Sequence, residues 1–425
     1  MLNKKTYRLN SFFSGIGGFD IAFENKGFAT QMLCEINPFC NQILNRHWPD
    51  TLKMTDINSI EVSQIPDAEV WCGGFPCQDI SVARGASERL GLAGHRSGLF
   101  FQFAHLIAQK NPEVVVVENV GGLFNSNKGR DFGVILQTLS SLGYSIAWRL
   151  LNSRYFGVPQ SRTRVYLCCW KNNAAKALDV MFDKEGSIKP QNARKDFLTE
   201  ASEKDEYPKV PHVAYCLAAS SGRHTGTDWS RTYVVCENGV RRLSPVESER
   251  LQGFPDNWTI PLGMGVDIDE KIDTFRYTAI GNAVSVPVVE WIANKIHLNL
   301  SKESTDEPIE QTLSLYKDFK KMRFRDSLLW DIDFGNAASE YKWAHGGIVL
   351  DGKCYECDAY PTPSSTVETS LLPLIEKNQN NAAYFLTPNA AEGILRRVDN
   401  QKRTLFAPLR EGLERLKSQN IKQKW

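Results

Sequence analysis

The chain has 425 residues, 42% hydrophobic and 23% charged, and its 50 Lys and Arg against 49 Asp and Glu leave a net charge of +1. That composition is ordinary for a soluble globular protein, no apolar run reaches the ~18–20 residues of a membrane span, and the near-neutral balance argues against a general nucleic-acid coat while leaving room for a local basic cleft. At roughly 150 residues per domain the length allows about two to three domains. Met1-Leu2-Asn3-Lys4-Lys5 leads straight into strand-like sequence without the apolar core of a signal peptide, so a cytoplasmic protein is expected. The ten cysteines fit, several of them (Cys168 and Cys169 among them) lying in apolar runs where a reduced thiol acts as a small hydrophobe.

Up to about residue 170, short β-rich runs alternate with helical stretches, the pattern of a parallel α/β sheet. Residues 7–13 read as the first strand and 19–25 as the start of the next helix. Further strands are predicted at 30–35, 69–72, 114–117 (the buried centre), 145–150 and 164–170. Residues 98–109 are apolar all round and predict a buried helix. From about 171 to 240 the alternation stops, polar residues dominate, and Gly222, Gly226 and Gly239 punctuate short β-like pieces, as in a loop-rich inserted module. Helical periodicity returns at 287–298, which belongs with the first domain, and the polar, acidic run 301–311 reads as a linker. The remainder predicts a third folded unit, with a helix capped at Thr387 and opened by Pro388. Its basic bias, from residues such as Arg396, Lys402 and Arg415, reads as a solvated helix face before DNA-backbone contact. Cys354 and Cys357 have zinc-like spacing and His345 nearby, but a closed site needs four ligands and no second Cys/His pair is evident, so no metal is expected. The expected domains are 1–170 with 280–300, 171–279, and 312–425.

Two constellations carry chemistry. The first strand runs into Phe13-Ser14-Gly15-Ile16-Gly17-Gly18, a glycine turn that lets backbone approach a ligand. A dinucleotide fingerprint would place glycine where Asp20 stands, which disfavours NAD. Glu35 closes the second strand, suited to ribose hydroxyls, and Asp56 suits an adenine amino group. Ribose and adenine recognition without a diphosphate cradle fits S-adenosylmethionine; the plainer alternative is a glycine turn with two surface carboxylates. In the second constellation, Gly73-Gly74-Phe75-Pro76-Cys77-Gln78 places a cysteine just past a strand. Most cysteines are inert, but Glu118 follows the most apolar strand, at the carboxyl edge where α/β sheets bind ligands. Arg162 and Arg164 stand at alternate positions, on one face of a strand. Thiolate addition to carbon 6 of cytosine makes carbon 5 nucleophilic toward a sulfonium methyl. A desolvated Glu118 can protonate N3, and an arginine at O2 can hold the ring and lower the thiol pKa.

With these motifs in this order, the chain resembles the DNA cytosine-5 methyltransferase family over residues ~9–300. Residues 13–18 resemble its donor motif, 76–78 its catalytic motif, 118–120 its Glu-Asn-Val, and Gln160, Arg162 and Arg164 its Gln-x-Arg-x-Arg. Residues 242–255 resemble the motif closing the recognition region, and Gly281-Asn282-Ala283-Val284 the final one. One departure is Ser11-Phe12, where the family often has Asp-Leu.

The resemblance implies a Rossmann-like S-adenosylmethionine-dependent methyltransferase sheet with helices on both faces. It adds a small loop- and β-rich target recognition domain and, in this chain, a C-terminal α+β extension. It implies methyl transfer from S-adenosylmethionine, leaving S-adenosylhomocysteine, to carbon 5 of a cytosine flipped out of double-stranded DNA. The implied catalytic residues are Cys77, Glu118, Arg162 and Arg164. The implied donor pocket is Phe13, Gly15, Ile16, Gly17, Gly18, Glu35, Ile36, Asp56, Ile57, Pro76, Leu99, Asn282 and Val284. DNA contacts are expected from Gln78, Ser81, Arg84, Arg223, His224, Arg231 and Arg242, with residues 79–96 as a loop closing over the base. A monomer is expected, with a cognate restriction endonuclease as partner and no membrane association. Two alternatives stay open: the same chemistry on RNA, disfavoured by Phe75 before Pro76 where transfer-RNA relatives usually show Pro-Pro-Cys, and a catalytically silent DNA-binding relative.

Overall fold

The computed structural model describes residues 6–76, 98–191, 195–202, 206–221, 230–264, 270–303, 308–325, 341–377 and 382–422. In chain order they form β1 (Tyr7–Phe12), α1 (Gly18–Glu24), β2 (Phe28–Cys34), α2 (Pro38–His47), β3 (Leu52–Met54), β4 (Val70–Gly73), α3 (Leu99–Lys110), β5 (Val114–Val120), α4 (Arg130–Ser141), β6 (Tyr144–Asn152), β7 (Gln160–Ser161), β8 (Thr163–Lys171) and α5 (Ala174–Met181). There follow β9 (Ala214–Tyr215), β10 (Tyr233–Cys236), β11 (Gly239–Arg242), α6 (Pro245–Gln252), α7 (Glu270–Asn282), α8 (Val286–Leu300), α9 (Ile309–Ser314), β12 (Arg323–Arg325), β13 (Gly346–Leu350), β14 (Lys353–Cys357), α10 (Pro388–Asn400) and α11 (Ala407–Lys422).

Ten strands make one sheet in the order β12-β14-β13-β6-β8-β5-β4-β1-β2-β3. The expected parallel pairing holds from β3 to β5. From β5 onward every neighbour is antiparallel, β8 running back along β5 and β6 along β8. The reason is connectivity: β6 reaches β8 through a short segment, whereas a parallel partner needs a long crossover. Alternation within each strand splits the side chains between two cores. Val114, Val116, Tyr166 and Cys168 face the layer of α1, α2, α5 and α8, while Val115, Val117, Leu167 and Cys169 face α3 and α4. Each fully buried valine contributes about 1.5–3 kcal/mol, which is why so apolar a strand takes the centre. The helix read as buried all round is one-sided: α3 buries Phe100, Phe103, Ala104, Leu106 and Ile107 and turns His105 and Gln109 to solvent.

The C-terminal residues do not form a unit apart. β13 pairs with β6, Ile348 opposite Ala147, and covers a strand buried along its whole length. Gly347 lies so close over Trp148 that an added Cβ would sit 2.3 Å from the indole. Arg149, fully buried, donates to the carbonyl of Met181 at 3.0 Å and to that of Thr362. The open edge of β6 and its apolar faces draw residues 346–357 into the main sheet. Cys354 packs in one core and Cys357 in the other, so the two thiols of the zinc-like spacing lie on opposite faces of the sheet. No helix among the described residues is long and apolar enough to cross a membrane.

Candidate active site

The strand order reverses between β1 and β4, and ligands of open α/β sheets bind outside the carboxyl ends of strands at such a point. The segments leaving β3, β2, β1, β4 and β5 line this edge in turn, carrying Asp56, Glu35, residues 13–18, residues 74–76 and Glu118. Because β8 is antiparallel to β5, its first residues return to the same edge, with Arg164 opposite Val120.

On the β4–β5–β8 side, Glu118 and Arg164 are diagonal cross-strand neighbours, a spacing within reach of long side chains. Arg164 Nε lies 3.2 Å from Glu118 Oε1, with 15% and 11% of the two side chains exposed. Burial pushes the Glu118 carboxyl up from the ordinary carboxylate range, and the guanidinium groups of Arg164 and Arg162 draw it back. Glu118 stands over the turn after β4: a Cβ on Gly74 would meet its Oε2 at 3.3 Å. Asn119 Nδ2 donates to the Phe75 carbonyl at 3.0 Å, fixing the backbone that leads into residue 77. Sequence reasoning passed over Asn119, although it stands beside Glu118 in the quoted motif. Cys77, with Gln78, Ser81, Arg84 and the expected loop 79–96, lies outside the described residues, as do Arg223 and His224.

Arg162 lies between β7 and β8 and stays beside Arg164, Nη1 of the first lying 3.6 Å and Nη2 of the second 4.0 Å from Cys216 Sγ. Its buried guanidinium donates to the carbonyls of Leu217 at 2.9 Å, Gly281 at 3.1 Å and Ala283 at 2.8 Å. In this position it ties three segments together.

On the β1–β2–β3 side, Glu35 accepts the Gly15 N–H at 2.8 Å through Oε2 and the Asn37 N–H at 2.7 Å through Oε1. Each oxygen keeps a lone pair for a ligand. Gly15 has φ +56° and open space where a Cβ would be. Ile36 is 69% exposed beside it. Asp56 caps the turn holding Ile57, accepting the Asn58 N–H at 2.9 Å. Gly18 admits Val284, which a Cβ would meet at 2.8 Å, and Asn282 is exposed at the end of α7. Phe13 and Leu99 are half-buried, Ile16 and Ile57 buried, and Pro76 exposed. A carboxylate with lone pairs to spare, a glycine gap and an exposed isoleucine side by side fit a nucleoside: hydroxyls for Glu35, an apolar face for Ile36.

The family described as C-5 cytosine-specific DNA methylase matches residues 7–215 and 187–298. The chain is similar to the type II methyltransferase M2.BsuMI of Bacillus subtilis (strain 168), at 33% identity across 67% of this chain and 74% of the relative. It is similar also to M.NgoBI of Neisseria gonorrhoeae, at 31% identity across 67% of this chain and 91% of the relative. The chain belongs to the C-5 cytosine-specific DNA methylase family. As such it is a DNA (cytosine-5-)-methyltransferase. A solved structure of Spodoptera frugiperda DNMT2, a mutant, matches its fold with a TM-score of 0.50 at 19% identity, over 68% of this chain and 99% of that one.

In this methylase, buried amides join the segments around the site. Gln160 Nε2 donates to the Leu251 carbonyl at 2.9 Å, its Oε1 accepts the Leu217 N–H at 2.9 Å, and Gln252 Nε2 donates to the Ile280 carbonyl at 2.9 Å. Arg231 and Arg242 line a cavity of about 30 Å³ with Tyr215, Cys216 and Tyr277. Arg231 spends its guanidinium on Ser220 and Ser221, and Arg242 reaches the Ala383 carbonyl at 3.5 Å. Cys216, not singled out from the sequence, is exposed, with Sγ 3.6 Å from Arg162 Nη1.

The methylase's departure at Ser11 has a structural counterpart. Ser11 Oγ donates to Oδ2 of fully buried Asp20 at 3.1 Å. Burial lifts that carboxyl to about 8, the Ser11 bond opposing and the Glu24 charge adding to the rise. A folded-state pKa above the unfolded one means that the folded protein holds the extra proton between the two values. Stability therefore falls as pH rises from about 4 toward 8, and the loss is complete above 8. Asp20→Asn should match the parent near pH 4 and exceed it by several kcal/mol above pH 8, at about 1.4 kcal/mol per pH unit of separation. Urea midpoints across that range would measure it; parallel curves would refute a protonated Asp20.

Proposed function

We propose that this methylase transfers the methyl of S-adenosylmethionine to carbon 5 of a cytosine flipped out of double-stranded DNA, through a transient bond from Cys77 Sγ to carbon 6. The observation that carries this reading is the half-sealed Glu118–Arg164 pair over the turn that leads into Cys77. When bound, the donor supplies an electrophilic methyl on a sulfonium sulfur. The protein's residues do the rest. The Cys77 thiolate adds to carbon 6, and Glu118 gives a proton to N3, so the electron pair of the 5,6 double bond becomes available at carbon 5. Arg164 holds O2 through Nη2, its Nη1 being bonded to the Thr163 carbonyl, and keeps Glu118 in place through Nε. Loss of the carbon 5 proton to a base, expulsion of the thiolate and return of the N3 proton to Glu118 restore the aromatic ring. A base inside a duplex cannot reach a sheet edge, so extrusion is part of the reaction.

Glu35, Ile36, Asp56, Phe13 and the turn 15–18 would hold the donor, with Asn282 and Val284 closing it from the last motif. Arg162 supports the reaction as a positioning residue, since its Nη1 and Nη2 groups donate to carbonyls. Residues 171–279 would read the DNA sequence, residues 1–170 with 280–300 would carry the chemistry, and the protein would act as a monomer in the cytoplasm. The type II names of the two relatives make a cognate restriction endonuclease the partner to look for.

A duplex carrying 5-fluorocytosine at the methylated position tests this, because fluorine cannot leave as a proton does and the adduct persists. The expected result is a denaturation-resistant protein–DNA band that requires S-adenosylmethionine, with Cys77 in the crosslinked peptide and no band on an RNA hairpin. Trapping on RNA alone would favour the RNA reading, and no trapping anywhere a silent binder.

A further inference from the structure

The family match stops at residue 298, yet residues 362–377 and 382–422 link the catalytic sheet to the recognition region, and their contacts follow one path. Val367 bridges to Phe156, exchanging backbone hydrogen bonds of 2.7 Å with Gly157 and 3.0 Å with Tyr155, just ahead of the Gln160 motif. The Leu371 N–H donates to the His212 carbonyl at 3.0 Å, and Arg250 Nη1 donates to the Leu374 carbonyl at 2.8 Å. Ser244 Oγ donates to the Glu376 carboxylate, and the Glu376 N–H donates at 2.9 Å to Glu247, which is itself buried in a two-bond pair with Arg241. Phe385 then bridges to Arg241, and the Leu386 N–H donates to the Val240 carbonyl at 2.8 Å. Finally α10 and α11 lay Leu395, Phe406, Leu409, Leu413 and Leu416 over Tyr233, Val235 and Val240 of the β10–β11 hairpin. Gly412 admits this approach, since a Cβ there would meet Val240 at 2.9 Å and Val235 at 3.0 Å.

We infer that residues 362–377 and 382–422 are an intramolecular brace that sets the pose of the β10–β11 recognition hairpin over the catalytic edge, so that DNA affinity depends on C-terminal side chains that do not touch DNA. The hairpin has two short strands, and a two-stranded ribbon is marginal unless it packs on something. One face of the hairpin packs on the main core through Val234 and Cys236; the apolar cover of the other face, with Tyr233, Val235 and Val240, comes from α10 and α11. The basic residues of this end fit a bracing role, since Arg410 pairs with Asp399 and Glu414, Lys417 with Glu392, and Arg415 reaches the Cys236 carbonyl of the hairpin. The inference rests on the reading of residues 171–279 as the DNA-recognising region.

Two variants of the full-length protein test it. Gly412→Leu wedges α11 away from the hairpin, and Glu376→Gln weakens the link to Ser244 without adding bulk. For each, steady-state methylation of a duplex and amide hydrogen exchange of residues 233–242 are measured. The brace predicts exchange faster by tenfold or more in the hairpin, with the KM for DNA raised about tenfold and kcat and the KM for S-adenosylmethionine within twofold of the parent. Glu376→Asp should restore most of the loss. Faster exchange with an unchanged KM for DNA would overturn the positioning role, and unchanged exchange would overturn the brace itself. A parent protein that leaves duplex DNA unmodified would instead count against the recognition reading, and the exchange arm would still decide whether the hairpin is held. If Gly412→Leu does not fold, the Glu376→Gln series carries the same comparison.

Discussion

Methyl transfer should fall below detection in Cys77→Ala, a loss on the order of 10⁴-fold or more, as when a covalent nucleophile is removed elsewhere. The cause lies in the pyrimidine. Carbon 5 of cytosine is a weak nucleophile until sulfur adds at carbon 6 and turns the ring into an enamine. Glu118 is engaged with Arg164, and Cys72 is sealed in the core, its thiol pushed well up by burial, so neither takes that part. Donor binding, measured by calorimetry with S-adenosylhomocysteine, should change by less than about threefold, because Glu35, Ile36 and Asp56 leave different strands from the one that precedes Cys77. Turnover at a tenth of the parent rate would refute a covalent role for the sulfur.

Much of this site was legible because local pattern and site coincide. Strand β5 declares itself through four consecutive valines, so Glu118 at its end had to lie at the carboxyl edge. Glu35 follows from the first turn by a spacing that a βαβ unit enforces, and its carboxylate accepts the Gly15 N–H. What could not be read depends on contacts distant in sequence. Period-two alternation sets Arg162 beside Arg164, but it does not tell that the Arg162 guanidinium is bonded to the carbonyls of residues 217, 281 and 283. Strand β13 is five residues beginning with two glycines, a weak signal by itself; its place is decided by the unpaired edge of β6, about two hundred residues earlier. Arg231, expected at DNA, also bonds to Ser220 and Ser221 of its own segment, a contact that composition does not announce.

Glu118→Gln is expected to lower kcat by about 10²–10⁴-fold, the range for a well-placed proton donor, and the pH profile identifies the proton as the reason. Burial raises the Glu118 carboxyl, with Arg164 and then Arg162 opposing, so the acid form persists to higher pH than on a surface glutamate. In the parent, kcat on duplex DNA should fall as pH rises through that raised pKa; in Glu118→Gln the limb should be missing and the rate uniformly low. Stability separates this from simple damage. A carboxyl whose folded pKa is raised makes the folded state less stable as pH climbs above its unfolded value, so the neutral amide should leave the thermal midpoint at pH 8 equal or higher while turnover collapses. Glutamine can still accept from Arg164, so the guanidinium stays in place at the base. Were Glu118 needed only to hold Arg164, Glu118→Gln would keep most of its activity and the parent's pH limb. That result would move the protonation of N3 to another donor.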